Sequence, residues 1–174
     1  SMCSDAAARR EAGLMETTIR PIQGREEIDV CARMMAGSEP WITLQRDYDA
    51  SLQTLTSPGK EVYVAADSTQ ILGFIILNMQ GGFTGYIQSI GVAPEWRSRG
   101  IGRRLVAYAE ERIFREAPNV FICVSSFNAG AQRFYRNLGY EAIGELKDFV
   151  VRGHSEILLR KTIAPWREFK KRPA

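Results

Sequence analysis

The stretch Val92-Ala93-Pro94-Glu95-Trp96-Arg97-Ser98-Arg99-Gly100-Ile101-Gly102-Arg103-Arg104 decides the fold of this chain. An apolar run ends, a short loop turns, and two glycines open a segment in which Ile101, Leu105, Ala109 and Ile113 recur every four residues. That spacing predicts an amphipathic helix over residues 100–115, closed by Pro118. The first turn of a helix carries N–H groups without intrahelical partners and a partial positive charge, so it is an anion site. Gly100 and Gly102 keep side chains away from those N–H groups. Arg97, Arg99, Arg103 and Arg104 place four guanidiniums within eight residues. Two glycines alone would suit any solvated helix start. Strand, proline, arginines and helix together point to a phosphate site. No Gly-Lys-Ser/Thr and no GxGxxG is present, which disfavours nucleoside triphosphates and dinucleotides as its ligand.

Upstream, residues 61–66 and 71–79 read as a hairpin around Asp67-Ser68, and residues 83–92 add a third strand. A short strand at 17–22, a helix at 25–36 ended by Gly37, a loop at 38–41 and a weaker helical pattern at 47–54 precede them. Downstream, residues 120–124 read as a buried strand. Asn128 caps a helix with Ala131, Phe134, Tyr135 and Leu138 on one side, and Gly139 supplies its left-handed stop. Strands at 141–147 and 157–161 follow. The order β-α-α-β-β-β-α-β-α-β-β predicts an α/β fold, a mixed sheet with helices on both faces.

The 174 residues are 45% apolar and 25% charged, enough for one domain with a real core. No window approaches the ~20 apolar residues of a membrane span. A net charge of +3 is too balanced for wholesale nucleic-acid binding. Scattered Cys3, Cys31 and Cys123, with the single His154, exclude a disulfide framework, a zinc site of recognisable spacing and catalysis by several histidines. A reducing, cytoplasmic setting follows, with no metal expected. Residues 1–14 read as a disordered or helical leader, Ser1-Met2 as a remnant of expression and Met15 as a natural start. Residues 15–163 form the domain. Residues 164–174, with Trp166 and Phe169 among basic neighbours, read as a packed or dimer-contacting tail, leaving a homodimer open.

The RxxGxG spacing of Arg97 to Gly102 resembles the coenzyme A pyrophosphate loop of the GNAT superfamily of N-acetyltransferases. Residues 90–105 resemble that family's motif A throughout. Asn128-Ala129-Gly130-Ala131-Gln132-Arg133-Phe134-Tyr135-Arg136-Asn137-Leu138-Gly139-Tyr140-Glu141 resembles its motif B, and the element order over about 17–162 matches as well. The resemblance implies a GNAT-like sheet of about seven strands, splayed at the fourth, with about four helices. It implies acetyl-CoA as cosubstrate, with pantetheine on the backbone of Ile90 and Val92. Its pyrophosphate would meet the N–H groups of Arg97, Ser98, Arg99, Gly100, Ile101 and Gly102, together with Arg103. A strand N–H would polarise the thioester carbonyl, Asn128 would contact the coenzyme, and Tyr135 would protonate the departing thiolate. The acceptor, a primary amine on a small metabolite or a polypeptide, would attack directly in a ternary complex. Residues 39–43 and the following segment with Arg46 and Tyr48 would wall its pocket, Trp41 serving equally well as a core plug.

The general base is where this chain departs from the pattern. Some family members place a glutamate five residues ahead of the asparagine, and here that position is Cys123, which reads as a core residue between Ile122 and Val124. An ammonium of pKa near 10.4 must still lose a proton before it can attack. A water chain ordered by Gln88, Ser89 or Ser125 would serve, as would Glu61, Asp148 or Glu156; His154 reads as a turn residue. Two other readings stand beside the enzyme: a non-catalytic acyl-CoA sensor of the same fold, and a phosphate-binding module for nucleotide or RNA.

Overall fold

The computed structural model describes residues 2–174, so Ser1 lies outside it. Five α-helices are seen among the described residues: α1 (Met2–Met15), α2 (Gly24–Ala36), α3 (Tyr48–Thr56), α4 (Ile101–Phe114) and α5 (Ala129–Asn137). Seven strands accompany them: β1 (Thr18–Pro21), β2 (Lys60–Ala66), β3 (Ile71–Asn78), β4 (Tyr86–Val92), β5 (Asn119–Ser125), β6 (Glu141–Lys147) and β7 (Ser155–Thr162). One sheet holds the strands in the order β1-β2-β3-β4-β5-β7-β6. Only β4–β5 is parallel, because α4 carries the chain back across the sheet between them. The mixed sheet with helices on both faces is the fold expected. The fifth helix is α1, formed by the residues that read as a leader.

The two faces are covered unequally. On one, Ile101, Leu105, Val106, Ala109 and Ile113 of α4 pack with Tyr135 of α5 against Leu72, Ile75, Ile87, Ile122, Val124 and Leu159. On the other, Cys31, Ala32 and Met35 of α2 and Leu55 of α3 cover Val62, Val64, Phe74 and Ile76. That second cover ends at β4. Each fully buried aliphatic or aromatic side chain here contributes roughly 1.5–3 kcal/mol. Phe74 packs so closely under β4 that a Cβ on Gly91 would come within 2.6 Å of its ring.

Two irregularities in β4 open the sheet. Its register with β3 shifts between Ile76 and Leu77, so Gln88 bulges out of the ladder. Its parallel ladder with β5 holds only Tyr86↔Phe121 and Ile87↔Ile122. Beyond Ile87 the two strands part, as expected for the fourth strand. The tail folds back instead of extending: Phe169 N–H reaches the Pro165 carbonyl, and Arg172 N–H donates to the Arg115 carbonyl at 2.9 Å.

Candidate active site

Where β4 and β5 part, a cleft of about 860 Å³ opens. Its walls include Ile90 and Val92 on β4, Gly102 at the start of α4, Asn128 and Tyr135 on α5, and Trp41 from the loop after α2. With no β5 partner past Ile87, one edge of β4 is left to bond a ligand that lies along it like an added strand.

The cleft runs onto the N-terminus of α4. Gly100 caps that helix with φ +84°, a left-handed conformation that an L side chain adopts only with strain. Ser98, at φ +59°, bends the loop before it. Gly102 has another reason to be glycine. A Cβ there would touch Phe134 and Val92 at ordinary distances of 3.7 and 3.9 Å, so packing does not demand its absence. It leaves room in the cleft, as a phosphate approaching the helix requires.

The arginines divide by task. Arg97 lines the cleft and donates from Nε to the Val92 carbonyl at 3.2 Å and from Nη2 to Ser38 Oγ at 3.4 Å. Arg99 lies over Trp96, its guanidinium 6.0 Å from the ring centroid, and Arg103 is exposed on the first turn of α4. Arg104 is structural, donating to the Thr17 carbonyl at 2.8 Å. Ile101 is buried in the core, which leaves only its main chain for any ligand at the start of α4.

Asn128 caps α5 by accepting from Ala131 N–H at 3.1 Å. Its Oδ1 is thereby engaged while its NH2 keeps two donors for the cleft. Tyr135 is 2% exposed, stacked edge-on against Phe134 and Tyr140, and its hydroxyl has no hydrogen-bond partner among the described residues. Burial pushes its phenol well above the usual value, which keeps it protonated.

Family membership is settled by residues 26–140, which match the acetyltransferase (GNAT) family. The chain belongs to that family. Within GNAT it is 28% identical, over 65% of its own length and 69% of the relative's, to an N-alpha-acetyltransferase RimI of Mycobacterium tuberculosis. In three dimensions it resembles a GNAT acetyltransferase of Desulfovibrio desulfuricans (TM-score 0.72, 21% identity, 85% of this chain and 99% of the other). It also resembles an aminoglycoside 6'-N-acetyltransferase complexed with coenzyme A (TM-score 0.70, 22% identity, 90% and 99%).

Against this GNAT frame the acceptor side needs two corrections. Tyr48 does not reach the cleft: its hydroxyl donates to Asp29 at 2.7 Å and Arg33 lies over its ring, on the outer side of α2 and α3. Cys123 is not a core residue like its neighbours. Strand alternation sends Ile122 and Val124 into the core beneath α4 and leaves Cys123 half-buried in the cleft near Tyr86. Burial pushes its thiol up, Tyr86 opposes the shift, and Glu156 adds to it. Trp41 holds both positions considered for it, packed 6.1 Å from Phe74 and lining the cleft.

Among the carboxylates considered as bases, two are engaged elsewhere. Glu61 takes a bidentate pair from Arg112 at 2.8 and 2.7 Å, and Asp148 accepts from Gly153 N–H in a turn. Glu156 alone of the three lines the cleft. No group of three or more metal-ligating side chains gathers among the described residues, and no helix among them is long and apolar enough to cross a membrane.

Proposed function

We propose that this N-acetyltransferase carries an acetyl group from acetyl-CoA to a primary amine, the two substrates bound together and the amine attacking directly. What supports the reading above all is the opening of β4 from β5 directly onto the glycine-started N-terminus of α4, with Tyr135 in the facing wall. A domain over residues 15–163 would contain the whole site. Three unpaired cysteines suit a cytoplasmic setting.

Main-chain N–H groups from Arg97 to Gly102 and the Arg103 side chain would hold the pyrophosphate. The free edge of β4 at Ile90 and Val92 would bond the pantetheine, and Asn128 would contact it from α5. When bound, acetyl-CoA supplies the activated acyl group. Around the Gln88 bulge, a β4 N–H would stabilise negative charge growing on the carbonyl oxygen, a kind of donor whose removal costs about 10²–10³-fold in rate. Tyr135, held neutral by burial, would give its proton to the sulfur. A thiol of pKa near 8.5 already leaves well, so this donation is worth tens-fold in rate.

The test is thiol release with a panel of amines, alongside calorimetric binding of coenzyme A. Gly100→Glu puts bulk and negative charge at the anion site and is expected to abolish coenzyme binding; unchanged affinity would refute the site. Tight binding without turnover on any amine would favour a sensor over an enzyme.

A further inference from the structure

Two opposite charges face the cleft without touching. Glu156, 6% exposed, lies on β7 directly across from Ser125 of β5, and its Oε2 has no hydrogen-bond partner among the described residues. Arg46, half-buried just before α3, lines the same cleft. Its guanidinium makes no hydrogen bond and no ion pair among the described residues, although it acts on Glu156 through space. Buried polar atoms are nearly always paired, and a guanidinium has five donors to place. An orphan carboxylate oxygen and an unengaged guanidinium, both open to one cavity beside the splayed end of β4, leave a gap that a ligand of reversed polarity would fill.

Resting on the acetyl-transfer reading above, we propose that the acceptor is a small amine bearing a carboxylate, its ammonium taken by Glu156 and its carboxylate by Arg46. Guanidinium and carboxylate match as planar, bidentate partners. Polycationic acceptors fit worse, because the charged residues lining the cleft are Glu39, Arg46, Arg97 and Glu156, two of each sign. Glu156 accepts one proton from the ammonium. The freed nitrogen lone pair attacks the thioester carbon, forming the C–N bond, and a second proton leaves the nitrogen for solvent. As the C–S bond breaks, the sulfur takes a proton from Tyr135, which solvent restores.

Several groups face the Glu156 carboxylate: Ser125 and Cys123 on β5, Tyr86 on β4, Arg46 before α3 and His154 in the adjoining turn. Burial raises its pKa against the pull of Ser125, Arg46 and His154. Activity should therefore fall on the acid side at a pH above the ordinary carboxylate range, as the base becomes protonated.

The experiment compares kcat/KM by thiol release for paired amines that differ by the acid group, such as alanine against ethylamine and lysine against cadaverine, with spermidine as a polycation. The acid-bearing member is expected to lead by about 10- to 100-fold in at least one pair. Arg46→Ala should bring that ratio close to one and Arg46→Lys should restore part of it. Glu156→Gln should lower kcat/KM by about 10²–10⁴-fold and remove the acid limb of its pH profile. Coenzyme A affinity, measured on each variant, reports that it has folded. A lead for the amines without the acid or for spermidine overturns this proposal alone, as does an Arg46→Ala variant that slows both members of a pair equally. Acetylation of no amine at all, with coenzyme A bound normally, overturns the transfer reading and this one with it.

Discussion

Glu61 and Glu156 are both carboxylates on strands of one sheet, yet the protein treats them oppositely. Burial works against ionising Glu61, but the Arg112 pair and Tyr63 outweigh it and hold the carboxyl below its ordinary value. Burial together with Glu61 pushes the Tyr63 phenol up to about 12. Glu156 has no such partner. The contrast extends to the surroundings of each. Glu61 faces α4, which supplies Arg112, and on the opposite face the half of the sheet from β1 to β4 is closed by α2 and α3 and by ion pairs such as Arg20–Glu27. The β4–β5–β7 end, on the same face, is left open as the cleft. Five buried side-chain polar atoms lack partners among the described residues, and four of them, on Gln88, Ser125, Tyr135 and Glu156, belong to residues lining that cleft. Orphaned polar atoms are costly, so their gathering in one place marks where the protein has kept groups for a ligand instead of for itself.

Substitutions at four residues probe this contrast. In the closed part of the sheet, Phe74→Ala removes a fully buried ring and is expected to cost about 3–5 kcal/mol of stability, measured by denaturant unfolding. Glu61→Ala should cost about 1–3 kcal/mol by leaving Arg112 without its bidentate partner. Because the folded pKa of Glu61 is lowered, its stabilisation is present above the ordinary carboxylate value and lost as pH falls through the folded one. An acid titration of wild-type stability should therefore be steeper than that of Glu61→Gln.

On the open side the signs change. Tyr135→Phe should slow turnover by roughly tens-fold, about 1.4–2 kcal/mol in barrier, with coenzyme affinity and melting temperature nearly unmoved. Wild-type rates in that variant would return the residue to the core. The smallest effect is the most diagnostic. The folded pKa of Glu156 is raised, so ionisation at neutral pH works against folding, and Glu156→Gln should raise the melting temperature there while damaging catalysis. That gain should vanish below the ordinary carboxylate value, where both states carry the proton. A melting temperature that falls at neutral pH would show that Glu156 is paired after all.

Legibility in the sequence followed the same division. The turn that opens α4 was readable because its physics is local: Gly100 sets a left-handed cap, and the unpaired N–H groups follow from the helix that Ile101, Leu105, Ala109 and Ile113 announce. Asn128 and Tyr135 were readable for the same reason, as a cap and a face of one short helix. Cys123 was misplaced although strand alternation was available, because an apolar run such as Val120 to Val124 does not reveal which face is core. Tyr48 was misassigned because nothing in its own segment shows that Asp29, on the preceding helix, takes its hydroxyl. Glu156 stood undistinguished among three carboxylates until the fold gave Arg112 to Glu61 and the Gly153 turn to Asp148 and left Glu156 in the cleft.

The order of elements, the glycine turn at the start of α4 and the two helices that bear on it were legible in the chain alone, since each depends on interactions a few residues apart. The acceptor side took shape only in three dimensions. It is built from the loop before α3, the bulge in β4, and the register of β5 against β7, so which charges meet there depends on pairings between distant segments.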